Sequence, residues 1–143
     1  MRILALCLLV VLSACGQGTE APPQRTTADR LAAPPDAAYG QRLAQICRTC
    51  HEVAQGTGHR VGPNLWGVVG APAAHHADFA YSAAMKRSGL VWNEESLDAY
   101  LANPQGFVPG NRMAYPGMPN EADRRDVIAY LETLSGPEEG AAP

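Results

Sequence analysis

The chain has 143 residues, a length that fits one folded domain rather than two. Its 11 Lys and Arg face 14 Asp and Glu for a net charge of −3, and no basic tract stands out to meet a phosphate backbone, which argues against nucleic acid as a partner. Glycine and proline are plentiful, 14 and 12 residues, so long irregular segments are expected between the regular elements.

The chain opens MRILALCLLVVLSAC. Arg2 gives a positive start, and Ile3 to Leu12 is an apolar run of ten residues. A bilayer crossing needs ~20, whereas ten suit the apolar region of an export signal. The ending Leu12-Ser13-Ala14-Cys15 resembles the lipobox of bacterial lipoproteins. That resemblance implies a signal peptide over 1–14, cleavage before Cys15 and a diacylglycerol on the Cys15 sulfur. The chain would then sit on the extracytoplasmic, periplasmic side of a bacterial membrane, held by an N-terminal lipid. The alternative is an ordinary secretory signal with an incidental cysteine. Cys7 leaves with the signal either way, so Cys47 and Cys50 are the cysteines of the mature domain, in an oxidising compartment.

Residues 15–35 read as a lipid-anchored flexible linker. The stretch GQGTEAPPQRTTADRLAAPP is rich in Gly, Pro, Thr and Ala and lacks apolar periodicity. Twenty such residues would reach about 25 Å. The folded domain is expected over 36–136 and a disordered tail over 137–143. A first helix is predicted from Asp36, a suitable N-cap, to Ile46, with Tyr39, Leu43 and Ile46 on one face. A short helix fits Ser82–Ser88. A second main helix starts at the N-cap Asn93, with Glu94 and Glu95 at its positive end and Trp92 packing on Leu97 as a staple. Leu97, Tyr100 and Leu101 form its apolar face, and it ends before Pro104. A third starts at Asn120, buries Val127, Ile128, Tyr130, Leu131 and Leu134, and stops at Gly136-Pro137. No strand alternation appears. Three modest helices and two Trp leave long Gly/Pro loops without an interior, and a large apolar cofactor would supply one.

The pentapeptide CRTCH, 47–51, fits a zinc site, a dithiol or disulfide, or haem attachment. A closed zinc site needs four N or S ligands, and no second CxxC or HxxxH pair stands at zinc-finger spacing. A thioredoxin-like dithiol follows a strand and opens a helix, whereas the segment before Cys47 reads as helix. C-x-x-C-H is also the attachment signature of c-type haem. The export signal, the helical pattern and the missing interior favour that reading.

Over residues 38–134 the sequence resembles the class I, mitochondrial-type cytochromes c. Beyond CRTCH the resemblance rests on GPNLWGVVG (62–70), FAYSAAMK (79–86), Trp92, YLANP (100–104), VPGNRM (108–113) and DVIAYL (126–131), in order and without obvious insertion. It implies an all-α cytochrome c fold, with three main helices, a short helix and long loops around one covalently bound haem c. Cys47 and Cys50 would carry the thioethers, and His51 would bind the iron through Nε2. Pro63 would accept from the His51 Nδ1–H, Met113 would be the distal ligand, and Tyr100 would approach its sulfur. Tyr81 and Trp92 would bond a buried propionate, and Tyr115 would cover the methionine side. Met118 is the rival distal ligand and Met85 is assigned to the core. His59, His75 and His76 are read as solvated loop histidines. Two positions depart from the family: Ala71 stands where an arginine near the propionates is common, and Met85 where an asparagine is common.

Histidine–methionine ligation fills both axial positions, which suits one-electron exchange rather than bond-making. The implied function is a monomeric, membrane-tethered electron carrier between redox proteins, such as a dehydrogenase donor and an oxidase acceptor, and not an enzyme. The alternatives are a haem subunit fixed to a dehydrogenase or oxidase complex, a weak peroxidase if Met113 dissociates, and a zinc or structural domain. Residues 36–135 carry eight Lys and Arg and ten Asp and Glu. Arg48, Arg60, Lys86, Arg87 and Arg112 are expected around the haem face, as a basic rim that steers acidic partners.

Overall fold

The computed structural model describes residues 25–135. The signal segment, Cys15 and the tail from 137 lie outside the described residues. Six α-helices and one 3-10 turn follow in order: α1 Thr27–Ala32, α2 Ala37–Leu43, the 3-10 turn Cys47–Thr49, α3 Ala83–Arg87, α4 Glu94–Ala102, α5 Pro104–Phe107 and α6 Glu121–Glu132. Among the described residues the β-type pairing is one isolated bridge, Pro72 to Val91. The class is all-α, as the sequence implies.

The starts of the two long helices are written locally. Asn93 caps α4 by accepting from the Ser96 N–H, while Ser96 Oγ accepts from the Asn93 N–H. Asn120 caps α6 by accepting from the Ala122 and Asp123 N–H groups. Each cap satisfies N–H groups that a helix start leaves unpaired, typically ~1 kcal/mol of stabilisation. The faces predicted to be apolar are the buried ones: Leu97, Tyr100 and Leu101 on α4, and Val127, Ile128, Tyr130 and Leu131 on α6, with Leu134 just beyond. Trp92, Val108, Met85 and Met118 join the same core.

Helix α2 crosses α6 at Gly40, where a Cβ would lie 1.8 Å from the Asp126 carbonyl oxygen. No other residue permits this approach. The helix ends at Leu43, three residues earlier than the spacing predicts, and Ile46 is 53% exposed instead of facing the core. The chain needs that early end, because the carbonyl of Ala44 accepts from the Cys47 and Arg48 N–H groups and bends it into the 3-10 turn.

Two elements depart from expectation. Residues 27–32, assigned to a flexible linker, form α1, with Thr26 and Asp29 as a capping box. Arg30 pairs with both Asp123 and Asp126 on α6. Arg125 donates to the Leu31 and Ala33 carbonyls. Six residues cannot hold a helix alone, so these contacts with α6 are its cause. The second is α5: α4 ends before Pro104 as expected, but Pro104 also opens a further short helix. Asn103 caps it by accepting from the Gly106 N–H, and proline at the first helical position lacks only an N–H that would be unpaired there.

Candidate haem-binding site

CRTCH is wound as one tight turn. The N–H groups of Cys50 and His51 both donate to the Cys47 carbonyl, at 3.0 and 2.9 Å. Cys47 and Cys50 are partly buried and are not joined to each other, and burial pushes the Cys47 thiol above its usual range. The strand of loop that follows is folded back: the Gly62 N–H donates to the Cys50 carbonyl at 2.8 Å and the Leu65 N–H to the Glu52 carbonyl at 2.9 Å. That pairing lays Pro63 over His51.

The Pro63 carbonyl lies 2.6 Å from Nδ1 of His51. A carbonyl only accepts, so the ring proton is assigned to Nδ1 and Nε2 keeps its lone pair. Burial holds the imidazole below the usual histidine range, outweighing the bond to Pro63, so the ring is neutral at pH 7. Gly62 makes the approach possible, since a Cβ there would lie 2.3 Å from Cε1 of His51. Sequence spacing does not mark this role for Gly62.

A second group of residues is built on α4, α5 and the loop after them. Tyr100 projects from α4 with its ring 4.9 Å from that of Trp92. Its hydroxyl lies 3.9 Å from Sδ of Met113 and 3.4 Å from Oδ1 of Asn111. Burial pushes the Tyr100 phenol up to about 12, so it remains a neutral donor at physiological pH. Arg112 donates to the Tyr81 carbonyl at 3.2 Å, joining the Met113 loop to Tyr81. Burial also raises the Tyr115 phenol, with smaller contributions from Cys47 and Asp123. Met113 and Tyr115 are partly buried, whereas Met118 and Met85 are core residues at 8% exposure each. Met118 is also fixed by its backbone: its N–H donates to the Leu101 carbonyl, and Arg124 donates to its carbonyl.

The donor chemistry fits a c-type haem. Two thiols stand two residues apart, a neutral imidazole has Nδ1 occupied and Nε2 free, and a thioether lies beside a neutral phenol. Imidazole and thioether are ligands for haem iron. The bond from Nδ1–H to a carbonyl fixes the ring orientation and strengthens Nε2 as a donor.

The histidines read as solvated loop residues are more committed than that. His59 Nδ1 accepts from the Asn64 N–H at 3.0 Å, and its Nε2 lies 3.0 Å from Asp78 Oδ1. His76 Nε2 bonds the Asn64 carbonyl at 3.0 Å. His59, His76 and Asp78 have metal-compatible spacing. However, a metal on His59 Nε2 would require a proton on Nδ1, which the Asn64 N–H opposes. The cluster ties two loops together instead.

Residues 37–135 match the family model for cytochrome c. The chain belongs to the cytochrome c family. It is 46% identical over 97 residues to a cytochrome c homolog of Bradyrhizobium diazoefficiens, covering 67% of this chain and 53% of that protein, so it spans about half the relative's length. It is 46% identical over 97 residues to cytochrome c2 of Rhodoblastus acidophilus, covering 68% of this chain and 89% of that protein. The structure superposes on cytochrome cH from Methylobacterium extorquens with a TM-score of 0.65 and 43% identity, over 68% of this chain and 98% of that one. Cytochromes c carry haem c bound covalently and are electron-transfer proteins rather than enzymes, and CRTCH has the CxxCH pattern of the family.

Asn111 and Gln105 also belong to this region and were not singled out by sequence reasoning. Asn111 was legible in principle: it stands two residues before Met113, the spacing of an Asx turn, and its Oδ1 accepts from the Met113 N–H.

Proposed function

We infer that this cytochrome c is a membrane-tethered single-haem carrier that passes one electron at a time between extracytoplasmic redox proteins. Thioethers at Cys47 and Cys50 would hold the haem, and His51 and Met113 would be its axial ligands. The bound haem supplies the Fe(II)/Fe(III) couple. The 2.6 Å bond from His51 to Pro63 carries the reading, because it leaves Nε2 as a directed donor. Tyr100 donates toward the Met113 sulfur and stays neutral. Tyr81 and Trp92 are assigned to a haem propionate. With His51 and Met113 as its ligands, the iron would keep no open site for a substrate.

The anchor is assigned to Cys15 from the lipobox. Among the described residues no helix is long and apolar enough to cross a membrane. Arg48, Arg60, Lys86, Arg87 and Arg112 are all exposed, in keeping with a basic docking rim for acidic partners.

Expression of the full chain with c-type haem maturation tests both parts. The haem should stay with the polypeptide through denaturing electrophoresis, and Cys50→Ser should weaken that retention. Reduced wild type should not bind carbon monoxide, and Met113→Ala should. Rapid carbon monoxide binding by wild type would overturn the closed ligation. Cys15→Ser should move the protein from the membrane to the soluble fraction. An unchanged membrane fraction would overturn the anchor.

A further inference from the structure

The Met113 loop is braced by one buried carboxamide. Asn111 is 7% exposed. Its Oδ1 accepts from the Met113 N–H at 2.8 Å and lies 3.3 Å from Gln105 Nε2 and 3.4 Å from the Tyr100 hydroxyl. Its Nδ2 donates to the Pro104 and Val108 carbonyls at 2.7 and 2.9 Å. The orientation of the amide follows from its partners, since the carbonyls only accept and the Met113 N–H only donates. Gln105 Nε2 also donates to the Asn111 and Met113 carbonyls, at 3.2 Å each. One planar group therefore fixes the start of α5, its end, and residue 113.

We propose that Asn111 is the positioning residue for Met113, holding the thioether in place so that the distal side of the haem iron stays closed. This rests on the reading of Met113 as the distal ligand. Asn111 acts through the Met113 backbone and through Tyr100, whose hydroxyl stands between its Oδ1 and the sulfur. The chemistry demands an amide. An aspartate would present acceptors to two carbonyls, and a serine or threonine offers one hydroxyl where three or more bonds are made. An unmade bond at a buried group is costly, so the loss falls on the segment that carries Met113.

The test uses the full-length, haem-loaded protein and exogenous imidazole. Imidazole reaches ferric iron only when Met113 has left, so its apparent affinity reports the open fraction. Asn111→Ala and Asn111→Asp should each raise that affinity about tenfold or more, the equivalent of one or two net hydrogen bonds, and should shift the midpoint potential. Asn111→Thr keeps an acceptor for the Met113 N–H and should fall between these and wild type, which preserves the test if the other variants fold poorly. Ile128→Val loosens the core elsewhere and should leave imidazole affinity unchanged. Wild-type affinity and potential in all Asn111 variants, with Met113→Ala fully open, would overturn the brace alone. Equal affinity in wild type and Met113→Ala would overturn the ligand reading and the brace with it.

Discussion

Arg30 Nη2 lies 2.6 Å from Oδ2 of Asp126, across 96 residues of sequence. The side chains are 13% and 8% exposed, so the pair is largely removed from water. Removing one partner of a buried pair strands the other charge. Arg30→Ala should therefore cost about 3 kcal/mol, the low end for such pairs, because the Asp36 N–H still donates to Asp126. Urea denaturation followed by circular dichroism measures it. A loss below about 0.5 kcal/mol, as for an exposed pair, would show that α1 is not held by this contact.

Gly40→Ala reverses the usual effect of alanine in a helix. Alanine ordinarily gains about 0.5–1 kcal/mol over glycine there. Here the new Cβ would meet the Asp126 carbonyl oxygen at 1.8 Å, and α2 must lift from α6. The expected loss is about 3 kcal/mol or more, at the upper end of overpacking costs. The denaturation midpoint reports the sign directly, and an unchanged or higher midpoint counts against the close crossing.

Gly62→Ala targets the site. Its Cβ would lie 2.3 Å from Cε1 of His51, so the ring must turn and lose the Pro63 carbonyl. The variant should lose about 1–3 kcal/mol and show an altered visible spectrum. Gly58→Ala, where nothing lies within 4 Å, should leave both unchanged. Matching spectra for the two variants would argue against a tight Gly62–His51 contact.

Asp78 supplies a pH test. Its hydrogen bond with His59 holds the carboxyl below the usual carboxylate range. A lowered folded pKa means that the stability it contributes is present above the unfolded value of ~3.9 and is lost as pH falls through the folded one. Asp78→Asn removes the charge and keeps an acceptor for His59. Wild type should be the more stable at pH 6, and the difference should shrink as pH drops below 4. Parallel denaturation curves at pH 6 and pH 3 check this, and a gap that widens in acid has the wrong sign.

Helices α4 and α6 were legible because their signals are local: Asn93 and Asn120 as caps, and the stripes Leu97–Leu101 and Val127–Leu131. CRTCH and the Met113 loop were legible as motifs. Helix α1 was not, because Arg30 finds Asp123 and Asp126 only after the chain has folded. Pro104 marked a boundary correctly but opened a new helix, since Asn103 could cap it. His59 and Asp78 are unremarkable apart, and their contact depends on how two loops lie together. Asn111 offered only its Asx-turn spacing to Met113, and its other four partners come together from α4, α5 and its own loop after folding.

Helix α1 changes the geometry of the proposed anchor. With the domain beginning at Asp36, twenty-one peptide steps separate it from Cys15, a span of at most about 75 Å. Docking on α6 carries the folded body back to Arg25, leaving ten steps and a ceiling of about 36 Å. If the proposed lipid anchors the chain, halving the leash cuts the reachable volume to roughly one eighth, which would confine the carrier to partners whose docking faces stand close to the bilayer. By clasping six residues, α1 would turn a question of affinity into one of height above the membrane on which the proposed anchor sits.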